Sequence, residues 1–259
     1  MRERMSDIIH AERRRKERSA HAEHPLPESL RPTARRRRGQ PSETIGQMCN
    51  AACIQFGRSR LARQDVQNKK VIEVGSRNLN GSLRADIEAL GTASYLGVDV
   101  SEGPGVDEIC DITDLDSRYG PESFDVVIST ELLEHVRDWR KAVSNLKRIL
   151  RPNGVLLLTT RSKGFSYHGY PYDFWRYEVD DMKTIFSDLS IEVIETDPIS
   201  PGVFVRATKP AGFSERNLDA IDLYSIVTDR RCKDVTGFDV SVRRLRHKTR
   251  RLLSRVLPV

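Results

Sequence analysis

Val71-Ile72-Glu73-Val74-Gly75-Ser76 decides the fold of this 259-residue chain. A short apolar run that ends in an acid and a glycine reads as a buried strand entering a tight turn. After it, Asn80 or Ser82 can cap a helix carrying Leu83, Ile87 and Leu90, with Gly91 as its stop. Residues 95–98 form a second apolar run, ending at Asp99 roughly 20 residues on. Strand, glycine turn, helix, strand and acid, in that order, make an α/β nucleotide-binding half.

The alternation continues. Residues 108–110 read as a weak third strand ending at Asp111-Ile112, after a Gly103-Pro104-Gly105 loop. Residues 124–128 form the fourth strand. Residues 138–150 form the clearest helix, with Trp139, Ala142, Val143, Leu146 and Ile149 at helical spacing and Pro152-Asn153-Gly154 ending it. Residues 155–160 are apolar throughout, as a central parallel strand should be. A helix over 179–186 precedes strands over 191–196 and 203–207. The link between those strands is too short for a helical crossover, so they pair antiparallel. Upstream, 45–64 reads as a helix with Met48, Ala52, Ile54, Phe56 and Leu61 as packing residues. The expected architecture is a doubly wound, Rossmann-like seven-stranded sheet with its last strand antiparallel.

Charge divides the chain into three parts. Residues 1–43 carry a net +5, residues 243–259 a net +7, and the total is +6, so the middle is mildly acidic at −6. A dedicated nucleic-acid-binding domain would carry basic charge on its body. Residues 1–43, with two arginine-rich runs, Pro25, Pro27 and Pro32, read as a disordered basic arm or as the product of an upstream start codon. They lack the apolar core of a secretory signal and are too acidic for a mitochondrial presequence. The domain is expected over 44–210. A C-terminal extension over 211–259 carries a basic amphipathic helix that either lies on an anionic membrane or partner or packs on the domain. No run approaches the ~18 apolar residues of a membrane span. Four cysteines and no signal segment point to reduced thiols in a cytoplasmic setting. Cys49 and Cys53 share a helical face but lack further ligands nearby, and no cluster along the chain has metal-ligand spacing, so no metal is expected.

The strand tips carry the chemistry. Gly75 lets the chain turn where a side chain would block a ligand. Asp99 suits a ribose diol, because a carboxylate accepts two hydroxyl protons. Asp111 can accept from an exocyclic amine while Ile112 covers the base. A dinucleotide asks for Gly-x-Gly-x-x-Gly, but the loop runs Gly75-Ser76-Arg77-Asn78-Leu79-Asn80-Gly81, which argues against an NAD oxidoreductase. An adenosine bearing a short zwitterionic chain asks less of the loop.

With Gly97-Val98-Asp99, Phe124-Asp125-Val126-Val127-Ile128-Ser129, Leu132-Leu133-Glu134-His135-Val136 and Pro152-Asn153-Gly154-Val155-Leu156, the chain over roughly 66–210 resembles a class I S-adenosylmethionine-dependent methyltransferase of the broad type 11 family. The resemblance implies that Glu73, Gly75, Ser76 and Gly81 line the methionine end of the cofactor. It implies that Asp99 holds the ribose, Asp111 and Ile112 the adenine, and that Thr130 and Glu131 flank the sulfonium. The family usually has further glycines at the positions of Arg77 and Leu79, so Arg77 is a candidate contact for a carboxylate or the substrate.

The expected reaction is methyl transfer to a small molecule or glycan, onto oxygen. In-line alignment contributes roughly 7–11 kcal/mol to such a step, and an oxygen nucleophile also benefits from a base. His135, His168, Tyr170 and Asp173 are the candidates. The segment 168–177 follows the fifth strand and is dense in aromatics, so it either contacts substrate or covers the sheet edge. An RNA or protein acceptor anchored by the basic ends, and a non-catalytic binding module, remain as alternatives.

Overall fold

The computed structural model describes residues 51–168 and 172–256. The arm expected over 1–43, the start of the helix expected from 45 with Met48, Cys49 and Tyr170 lie outside the described residues, as do the side chains of Leu252, Leu253 and Val256.

Five parallel strands form the body of the sheet: β1 (Lys70–Val74), β2 (Ser94–Asp99), β3 (Glu108–Ile109), β4 (Phe124–Thr130) and β5 (Leu150–Arg161). Two more, β7 (Ser190–Thr196) and β8 (Gly202–Thr208), complete it in the order β3-β2-β1-β4-β5-β8-β7. β8 runs antiparallel to both β5 and β7, so it alone opposes the sheet direction, as the short link predicts.

Alternation along the strands divides the core into two layers. Val71, Val126, Ile128, Val155 and Leu157 face α1 (Ala51–Arg60), α2 (Arg63–Val66) and α3 (Arg84–Glu88), burying Ala52, Phe56, Leu61, Val66, Leu83 and Ile87. Ile72, Val74, Val127, Leu156 and Leu158 face the other way. There they meet Trp139, Val143, Leu146 and Ile149 of α5 (Trp139–Ile149), with Leu115 of α4 (Leu115–Tyr119) and Met182 and Ile185 of α6 (Val179–Ile185).

Local chemistry sets the boundaries. Asp138 caps α5 by accepting from the Lys141 amide, and the helix passes directly into β5 at Leu150. Pro152-Asn153-Gly154 therefore bends a strand rather than ending a helix, with Asn153 at φ 61°. The helix expected over 45–64 breaks at Ala62, whose backbone is extended, into α1 and α2.

Three strands of two or three residues escape a periodicity reading. β6 (Trp175–Arg176), β9 (Leu223–Ser225) and β10 (Arg230–Cys232) form a second sheet in the order β10-β9-β6. Leu218, Leu223, Val227, Val235 and Val240 join the same core as α5 and α6. Arg140 of α5 ties this segment down, donating to the carbonyls of Leu218 at 3.1 Å and Ile221 at 2.6 Å. The chain from 211 to 240, expected outside the domain, thus contributes to its interior. Beyond it runs α7 (Gly237–Val256), with Phe238 and Leu245 exposed. Among the described residues no helix is long and apolar enough to cross a membrane.

Candidate active site

The order of the sheet reverses between β1 and β4, and a crevice opens there at the carboxyl ends of the strands, with a volume of about 900 Å³. Every residue expected to hold cofactor lines this one space: Glu73, Gly75, Ser76, Gly81, Asp99, Asp111, Ile112, Thr130 and Glu131. Arg77 lines it too.

Two glycines shape the wall. Gly75 sits at φ 82°, and a β-carbon there would lie 3.1 Å from the Leu132 side chain. The amides of Gly75 and Ser76 both donate to the Val98 carbonyl, which locks the turn to β2. Gly97 packs directly against the Gly105 carbonyl, with no room for a β-carbon. The Gly103-Pro104-Gly105 loop is thereby held against Ser76, and the Asn78 amide donates to Pro104 O at 2.8 Å.

The acids differ in what holds them. Asp99 accepts from the backbone amides of Ser101 at 3.0 Å and Arg77 at 3.4 Å, and among the described residues no cationic side chain pairs with it. A carboxylate aimed by backbone alone keeps lone pairs for hydroxyl donors. Asp111 caps a short 3₁₀ turn (Ile112–Asp114), accepting from the Thr113 amide and hydroxyl at 2.8 Å, and Ile112 is buried beside it. Glu73 is 4 % exposed, and burial pushes its carboxyl up to about 7 although the Tyr95 hydroxyl donates to it at 2.8 Å.

Glu131 lines the crevice and is also tied into the protein behind it. It sits at φ 55°, a costly backbone for a non-glycine residue, just past β4. Its carboxylate pairs with the buried Arg161 and accepts from Cys53 Sγ at 3.4 Å. Burial, then the neighbouring Glu134, raise its carboxyl well above the usual range. The residue lines the crevice, but its carboxyl group is held by Arg161 and Cys53.

The candidate bases separate. His135 lines the crevice, and its Nδ1 lies 2.5 Å from the Tyr172 carbonyl. His168 and Asp173 lie behind the wall. Burial would push the Asp173 carboxyl up, but hydrogen bonds from Arg176 and His168 outweigh it and bring it down to about 2. That carboxylate is fully buried and spent on internal partners. The aromatic segment divides likewise. Tyr172 and Phe174 line the crevice, whereas Trp175 donates to Arg137 O and Tyr177 to Leu133 O, covering the core.

Sequence reasoning assigned no site role to Leu132, Val136, Arg137 and Glu134, although all but Arg137 stand in the motif that carries the resemblance. The first three line the crevice from the turn after β4. Glu134 is fully buried in the 3₁₀ turn Leu133–His135, where Thr160 Oγ1 donates to its Oε2 at 2.8 Å. Among the described residues, Glu134, His135 and His168 bring ligand atoms within 4.8 Å of one another. Spacing along the chain hid this group, because His168 comes from a different loop.

A family model described as a methyltransferase domain matches residues 50–194. Among curated proteins, the chain is 26% identical over 129 residues to a ubiquinone biosynthesis O-methyltransferase from Rhizobium etli, covering 45% of this chain and 50% of that protein. It is 32% identical over 111 residues to the enzyme of the same name from Pseudomonas syringae pv. tomato, covering 38% and 47%. The chain thus spans about half the length of these relatives. Among solved structures, phosphoethanolamine N-methyltransferase 1 from Haemonchus contortus superposes with a TM-score of 0.51 at 16% identity, covering 65% of this chain and 45% of that one. The family match spans more than half of the chain and falls on the strands, turns and acids that build the crevice, so the protein belongs to the methyltransferase domain family, as a class I S-adenosylmethionine-dependent methyltransferase.

Proposed function

We propose that the protein transfers the methyl group of S-adenosylmethionine to a hydroxyl oxygen of a small molecule or glycan. The observation that carries this reading is the convergence of Glu73, Gly75, Asp99, Asp111 and Ile112 on one crevice. The donor set suits the cofactor. Among the described residues no cationic side chain pairs with Asp99, which leaves it able to accept the ribose hydroxyls. Asp111 and Ile112 offer an acceptor and an apolar cover for the adenine, and the bare Gly75 turn leaves room for the methionine chain. When bound, the cofactor supplies a methyl on a sulfonium, already a good donor.

The chain's own work is alignment and exclusion of water. Thr130, His135 and Tyr172 line the side of the crevice away from Asp99, where an acceptor would approach. Of the other residues expected to act as a base, Asp173 is fully buried and paired with Arg176, away from an incoming hydroxyl. The names of the curated relatives support oxygen as the acceptor atom.

Calorimetry with S-adenosylhomocysteine tests the cofactor site. The wild-type protein binds it, and Asp99→Ala weakens binding at least about tenfold, the loss of a charge-assisted hydrogen bond. Undiminished binding by Asp99→Ala counts against the reading. Incubating labelled S-adenosylmethionine with a cell extract tests the acceptor: label in the low-molecular-weight fraction supports it, and label confined to RNA or protein overturns it.

A further inference from the structure

The second observation concerns the buried group behind the crevice wall. Glu134 Oε1, His135 Nε2 and His168 Nε2 face one another, both nitrogens 3.9 Å from the oxygen. Among the described residues none of the three atoms has a hydrogen-bond partner, and all are shut off from solvent. Their other ends are held. Glu134 Oε2 accepts from Thr160. His135 Nδ1 lies against the Tyr172 carbonyl, which can only accept, so the proton is on Nδ1 and Nε2 is bare. His168 Nδ1 lies 3.1 Å from Asp173 Oδ2, and the same carboxylate oxygen accepts from the His168 backbone amide at 2.7 Å.

Three potential ligand atoms therefore converge in a buried space, within 4.8 Å of one another. A buried polar atom left without a partner is costly. A proton on one imidazole serves only the pair it makes with Glu134 Oε1 and leaves the other imidazole nitrogen without a partner. A water brings two protons to three acceptors. A cation satisfies all three at once.

We propose that Glu134, His135 and His168 bind a divalent first-row transition ion of the zinc type. Two imidazoles and one carboxylate suit such an ion and leave a coordination position open. With bonds of ~2.1 Å in tetrahedral array, ligand atoms lie ~3.4 Å apart, so the 3.9 Å pairs close by about half an ångström. Thr160, the Tyr172 carbonyl and Asp173 are the outer partners that metal-binding side chains carry. This reverses the expectation of no metal, which rested on spacing along the chain. His135 also lines the crevice, so the ion stands one side chain from whatever binds there.

The test uses the untagged full chain, stripped with a chelator. Titration with Zn²⁺ by calorimetry and with Co²⁺ by visible absorption is expected to give one tight ion per chain, with ligand-field bands of a low-coordinate nitrogen–oxygen site. His168→Ala is expected to lose at least about 100-fold in affinity, and Thr160→Val, which removes only an outer hydrogen bond, about tenfold. Circular dichroism checks that both fold; should His168→Ala fail to fold, Thr160→Val decides. Failure of the wild-type chain to take up either ion overturns the proposal. So does equal affinity in the folded variants, which would place the ion elsewhere. Neither readout depends on methyl transfer, so the site stands or falls apart from the proposed reaction.

Discussion

The α-carbon of Gly97 faces the carbonyl oxygen of Gly105 so closely that no side chain fits between them. That contact joins β2 to the Gly103-Pro104-Gly105 loop, which packs against Ser76 of the crevice wall. Gly97→Ala therefore has to push backbone, not a flexible side chain. Expected are a loss of ~1–3 kcal/mol in stability and a weakening of S-adenosylhomocysteine binding that exceeds it. Denaturant melts and calorimetry on the same variant check both.

Gly75 makes a related demand for a different reason. Its φ of 82° is unfavourable for an L-residue, and a β-carbon also meets Leu132 at 3.1 Å. Gly75→Ala is expected to destabilise by about 1–2 kcal/mol from backbone alone. Adding Leu132→Ala relieves the crowding but leaves the backbone cost. Full rescue in the double variant would show that crowding was the whole effect.

The Tyr95–Glu73 pair predicts a pH dependence. Burial first, against the opposing Tyr95 hydrogen bond, raises the Glu73 carboxyl from 4.5 to about 7. The folded protein then holds this proton more tightly than the unfolded chain. Stability falls as pH climbs from about 4.5 to about 7 and levels off above it. Glu73→Gln is expected to gain up to about 3 kcal/mol relative to wild type above neutral pH and nothing below the lower limit. Thermal melts across that range check it; a gain independent of pH sinks the assignment.

Asp173 and Arg176 form a fully buried pair with bonds of 2.6 and 2.9 Å. Arg176→Met leaves an uncompensated charge inside and is expected to cost about 3–5 kcal/mol. Adding Asp173→Asn removes the charge and recovers part of that loss. Urea melts of both variants separate the two effects.

The sequence by itself determined the seven-stranded sheet, its strand order of chemistry and the residues at the strand tips. Apolar runs such as Val71–Val74 and 155–158 are continuous, short and bounded by turn residues, as fully buried strands are. The glycine and acid at each end mark where the chain turns. Local preference and pattern act within a few residues, so they are written in neighbouring letters.

Only the tertiary structure decided the rest. β6, β9 and β10 have two or three residues each, too few to show a period, and they exist because Arg140 and the α5–α6 layer hold them together. Glu131 lines the crevice as its motif implies, yet Arg161 takes its charge from a strand 30 residues on. His168 meets Glu134 and His135 only because the loop after β5 folds back over the turn after β4. Such contacts join residues distant along the chain, and no local period or propensity encodes them.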